Sequence, residues 1–180
     1  MTRYNPGRMP APLIRFASAV DRLNAAIGRG AACLALAVVL LQFAVVVLRY
    51  LFGIGSIQLQ ESILYAHAAM FMLAAAWVLQ TGGHVRVDIF YAEASVRTKA
   101  LVDLIGSLAL LLPFAAMLIW FAAPYAARSF AILEGSRETG GLPFVYLLKG
   151  LIPLFAILLG LQGLAQAIRA AAVLAGERRR

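Results

Sequence analysis

Residues 30–48 read GAACLALAVVLLQFAVVVL, a run without one charged side chain. A helix rises about 1.5 Å per residue, so a run of this length spans close to the ~30 Å of a bilayer's hydrocarbon core. The apolar residues are continuous instead of alternating, which suits a helix whose backbone bonds are internal and not a barrel strand. Three comparable runs follow, Ser62 to Gly83, Leu104 to Ala127 and Gly150 to Ile168. The reading is an all-α integral membrane protein with four transmembrane helices, over residues 30–52, 60–82, 100–127 and 145–170. A cytoplasmic tail, 1–29, precedes this domain (30–176), and a basic tail, 177–180, follows it.

Composition agrees. Of 180 residues 63% are hydrophobic and only 13% charged, whereas about a quarter of an ordinary soluble domain is charged. The formal charge of +8 does not signal nucleic acid, because the arginines flank apolar runs and form no interleaved basic and aromatic face. They suit contact with anionic phospholipid headgroups. The first run is too long for the apolar core of a cleaved signal peptide and follows a polar stretch, so it reads as a retained anchor.

Orientation follows from lysine and arginine. With both termini inside, Arg3, Arg8, Arg15, Arg22, Arg29, Arg86, Arg97, Lys99, Arg169, Arg178, Arg179 and Arg180 are cytoplasmic, 12 against 4 outside (Arg49, Arg128, Arg137 and Lys149). The excess predicts an N-in, C-in protein. Within residues 12–29, Leu13, Phe16, Val20, Leu23 and Ile27 recur at three- and four-residue spacing. Arg15, Arg22 and Arg29 form a second stripe. This pattern predicts either an interfacial amphipathic helix or a plain extension of the first span.

Between the spans, Arg49 and Glu61 flank one outer hairpin and are expected to pair there. Gly82 and Gly83 are expected to end the second span, and Asp88 to cap a short surface helix over Ile89 to Tyr91. Asp103 begins the third uncharged run, with Arg86, Arg97 or Lys99 available to neutralise it. Pro113 and Pro124 are expected to bend the third span and Pro153 the fourth. The third is expected to protrude outward before breaking at Gly135, and the fourth to start around Pro143, with Lys149 snorkelling outward. Gln162, Gln166 and Arg169 share a face that is expected to meet another helix.

Chemistry-bearing motifs are sparse. His67 and His84 lie about 25 Å apart along a helix, too far to ligate one haem. The single cysteine, Cys33, supports no disulfide or thiolate cluster. No phosphate loop, nucleophile elbow or dinucleotide fingerprint is present, so neither an enzyme nor a cofactor is expected. The span midpoints, near Val39, Met72, Ala115 and Leu159, are apolar; Gln42 and Gln162 come closest to them and Trp77 adds one donor, while a solute pathway made by this chain alone needs polar groups at mid-depth. An accessory role follows.

Several motifs resemble one family. Leu48-Arg49-Tyr50-Leu51-Phe52 closes the first span, Glu61 opens the second, and Trp77 precedes Gly83-His84-Val85-Arg86-Val87-Asp88. Glu134, Ser136, Thr139 and Gly141-Leu142-Pro143 come before the fourth. In order and spacing these resemble the small DctQ-type membrane subunit of tripartite ATP-independent periplasmic (TRAP) transporters. Two departures are Gln58-Leu59-Gln60, where the family often has a tryptophan before the glutamate, and the alanines at 74–76, where a glycine is common. The resemblance implies a bacterial inner-membrane protein that anchors the scaffold of a large multi-span subunit. That partner carries an organic acid or similar solute with sodium, and a periplasmic binding protein delivers the solute. Arg49, Tyr50, Glu61, Trp77, His84, Arg86, Asp88, Gln162 and Gln166 are the structural or partner-contact candidates. No substrate, metal or catalytic residue is assigned. Other readings are a self-sufficient homo-oligomeric transporter coupled to protons through Glu61, a redox-complex anchor, and an assembly factor.

Overall fold

The computed structural model describes residues 10–84 and 94–177, and all the regular structure among them is helical. Helix α1 runs Ala11–Phe52 and α2 Ile57–Thr81. The third span comprises α3, Val96–Ile105, a π-helical turn over Gly106–Leu111, and α4, Leu112–Ala131. Helix α5 covers Val145–Glu177. All four spans are long and apolar enough to cross a membrane.

The helix ends follow local chemistry. Gly53 takes a left-handed conformation at φ 67° and closes α1, with Ile54 N–H bonding back to Leu48 O. Ser56 caps α2 by accepting from Leu59 N–H, and Gly82, at φ 71°, ends it as expected. Ser95 caps α3 through Thr98 N–H. The fourth helix begins at Val145, two residues after the expected Pro143. The surface helix expected after Asp88, and Arg86 with it, lies outside the described residues. Ahead of Pro113, where a bend was expected, the third span widens into the π turn that ends at Leu111. A proline withholds a backbone donor, and a wider turn accommodates the lost bond.

No boundary separates residues 12–29 from the first span. Helix α1 is one element of 42 residues, about 63 Å long, so the plain extension is what forms and a separate interfacial helix is not. Of its large apolar stripe only Val20 turns fully inward. Ala17, Val20, Asn24, Gly28 and Ala31 are buried, while Leu13, Phe16 and Leu23 stay exposed. The arginines at 15, 22 and 29 are exposed, as their stripe predicts.

Helix α5 is the central member and touches every other helix. Its small residues permit this. A Cβ on Gly163 would stand 2.7 Å from Leu111 Cδ2, and one on Gly150 2.9 Å from Phe130 Cε2. Ala156 and Ala165 are fully buried. Small side chains let helix backbones approach closely, and in lipid that packing replaces the hydrophobic drive available in water. Across α1 and α2, Gly28 does the same for Trp77, whose Cβ would lie 2.4 Å from any Cβ at position 28.

Candidate functional site

Polar side chains far apart in the sequence gather into two clusters. At the hairpin end, Glu61 stands one turn into α2 and reaches the loop between α4 and α5. One carboxylate oxygen accepts from the Ser136 hydroxyl and the other from Leu142 N–H at 2.5 Å. Ser136 N–H in turn donates to Leu142 O at 2.9 Å, so the loop closes on itself around the carboxylate. A Cβ on Gly141 would meet Ser136 Oγ at 2.4 Å and Glu61 Oε1 at 2.9 Å, which is why only glycine fits there.

This corrects the expected Arg49–Glu61 pair. Arg49 is exposed and has no ion-pair partner among the described residues, and Tyr50 beside it is 81% exposed. The motif residues Glu61, Ser136 and Gly141-Leu142, distant in sequence, do come together.

The same loop is fastened to α5 a second time. Lys149 Nζ lies 2.5 Å from Glu134 Oε2 and 4.3 Å from the centre of the Tyr125 ring. The third span stops earlier than Gly135, at Ala131, and Leu133 adopts φ 45°, unusual for a branched residue. The ammonium donating to Glu134 holds that carboxyl below the usual carboxylate range.

Away from the hairpin, α1 and α5 share a polar chain. Asn24 Nδ2 donates to Gln162 Oε1 at 2.7 Å, and Gln162 Nε2 donates to Asp21 Oδ1 at 3.0 Å. Arg169 grips both oxygens of Asp21. Asn24 and Gln162 are 1% and 0% exposed. The helix that the Gln162 face was expected to meet is therefore α1 of this same chain. Asp21 and Asn24 were missed by the sequence reading. The available signal was their three-residue spacing, one helical turn, in a segment otherwise charged only by arginine.

Gln166, next on that face, lines a cavity of about 390 Å³ between the ends of α2, α3 and α5, together with Gln80, Lys99, Asp103 and Arg169. His84 is exposed just past Gly83, and Trp77 packs on Gly28. Among the described residues no group of three His, Cys, Asp or Glu side chains is placed to hold a metal ion. What the two clusters do chemically is bind helices to one another.

The family model described as "Tripartite ATP-independent periplasmic transporters, DctQ component" matches residues 38–173. No curated protein and no solved structure matches the chain.

Proposed function

The chain belongs to the DctQ component family of TRAP transporters, as a small permease subunit, and we propose that it is the static anchor of the transporter's large membrane subunit. In this reading the protein sits in the inner membrane with both termini cytoplasmic. The large subunit carries the solute, an organic acid or similar molecule, with sodium, and a periplasmic binding protein supplies it.

One observation supports this reading above the rest: two clusters of polar side chains tie elements of the bundle to one another. Asp21, Asn24, Gln162 and Arg169 form one chain. Glu61, which a proton-coupled carrier would need to load and unload, is held by two donors at the outer end of α2. A moving carrier needs polar groups that exchange partners; an anchor needs them fixed.

The test is reconstitution. A tagged chain co-expressed with the large subunit is expected to bring it through purification. Liposomes holding this chain alone are expected to show no solute flux. Those holding both membrane subunits, with the binding protein and a sodium gradient, are expected to take solute up. Flux through the chain alone refutes the anchor reading.

A further inference from the structure

The outside of the bundle is not uniform. Along the third span, from Ile105 to Pro124, the exposed side chains are aliphatic or aromatic, with Leu110 at 72%, Trp120 at 77% and Phe121 at 68% exposed, and the indole N–H of Trp120 is their one polar group. Such a surface suits lipid. The α1–α2 hairpin does not match it. Gln42 and Arg49 are exposed on α1, seven residues apart and so on one stripe. Gln60 and His67 are exposed on α2, again seven apart.

These four residues form two levels. The turn between the helices is centred between Ile54 and Gly55. Gln42 and His67 each lie about 12 residues from it, ten of them helical, which is about 15 Å along the helix axes. Arg49 and Gln60 each lie about 5 residues from it. The first level falls inside a hydrocarbon core about 30 Å thick, and lipid tails offer an imidazole or amide no hydrogen bond. The stripe on α2 is also narrow. Gln60, Leu64, His67 and Phe71 are exposed at alternating three- and four-residue steps, while the rest of the helix from Glu61 to Gln80 is covered to some degree. A polar group on an exposed stripe at that depth normally faces another protein.

We propose that the α1–α2 hairpin, through the levels Gln42/His67 and Arg49/Gln60, is the surface that docks the large membrane subunit, and that the exposed flank of the third span faces lipid. The large subunit supplies hydrogen-bonding groups at mid-depth opposite Gln42 and His67, and an acceptor or carboxylate near the outer interface opposite Arg49. This rests on the reading that the chain has such a partner.

The experiment uses the two membrane subunits expressed together. A photo-crosslinking amino acid is placed at Val46 or Leu64, which are exposed beside the polar positions and leave them intact, and at Leu110 or Phe121 as the lipid-facing comparison. Irradiation in membranes is expected to give adducts at the combined mass of both subunits from Val46 and Leu64, at least tenfold above those from Leu110 and Phe121. In parallel, Gln42→Leu combined with His67→Leu is expected to cut recovery of the large subunit about tenfold, leaving the amount of this chain in the membrane unchanged. Adducts from the third span instead, an adduct of twice this chain's mass from Val46 or Leu64, or undiminished recovery with the double substitution would each overturn the assignment. If the unsubstituted chain recovers no large subunit, the parent reading fails and this one with it. Recovery without the expected adducts sinks the surface alone.

Discussion

Replacing Gln162 with methionine keeps the length and volume of the side chain and removes its polar end. Two partners lose a bond. Asn24 Nδ2 has no other acceptor among the described residues, and Asp21 Oδ1 retains Arg169. Asn24 is 1% exposed, and its Oδ1 already lacks a partner, so its amide would be buried with nothing to bond. An orphaned buried polar group costs about 1–3 kcal/mol, a factor of roughly 5 to 150 in the folded-to-unfolded ratio. Adding Asn24→Leu to Gln162→Met removes the orphan as well as its partner, and two apolar groups of similar shape are nearly neutral. The double variant is therefore expected to be more stable than Gln162→Met alone, and the two single losses not to add. Gln166→Met, a turn away and half-exposed with no described bond, is expected to stay within about 0.5 kcal/mol of the parent. Unfolding in mixed micelles, followed by the fluorescence of Trp77 and Trp120, measures all four. Additive losses, or a neutral Gln162→Met, would refute the reasoning.

Three further outcomes follow from the geometry. Gly28→Ala puts a Cβ 2.4 Å from Trp77 Cβ, and overpacking of that kind typically costs about 1–3 kcal/mol; a lowered melting temperature with shifted Trp77 emission is expected. Gly141→Ala drives a Cβ into Ser136 Oγ and Glu61, so the loop is expected to open. The same is expected of Glu61→Gln, whose amide can accept from only one of the two donors; hydrogen exchange at Leu142 N–H, at least tenfold faster in each variant, reports it. Glu134 has its carboxyl lowered by Lys149. The stability it lends is full above the ordinary carboxylate value, near 4.3, and is lost as pH falls through the lower folded-state value. Mobility of a spin label at Thr139 is expected to rise in that acid range, and Glu134→Gln to reduce the response to the part that the Glu61 clasp contributes.

The sequence supplied the spans, because length and continuity of apolar residues are all that a helix in lipid requires. It supplied the ends of α2 through Gly82 and the polar face of α5 through Gln162 and Arg169. It left α1 open between an interfacial helix and a plain extension, and did not identify the face turned inward. Of the conspicuous stripe Leu13, Phe16 and Leu23 stay exposed and only Val20 is buried, and the face turned inward otherwise carries Ala17, Asn24, Gly28 and Ala31. Hydrophobic size identifies the inner face when water is the alternative. Between helices that pack closely, the small residues identify it instead. The Glu61 clasp was hidden for another reason. Arg49 is the nearest opposite charge in sequence, and nothing local tells that a loop 75 residues on closes over the carboxylate. The motifs named both halves of the clasp without showing that they touch.

The two clusters acquire their meaning from their separation. Glu61 ties the α1–α2 hairpin to the loop that leads into α5, and Asp21 with Asn24 ties the same hairpin to α5 about 17 residues further along, some 26 Å away. A single tie would leave the hairpin free to swing about it. Two ties at that distance stop both swinging and sliding, since a shift of one helical turn, 5.4 Å, must break the bonds at both ends together. Between them the packing is by glycine and alanine against Trp77, Leu111 and Phe130, which tolerates little change of register. A subunit built to move its helices would keep one end loose. This one is fastened at both, as the proposed role of a fixed element requires.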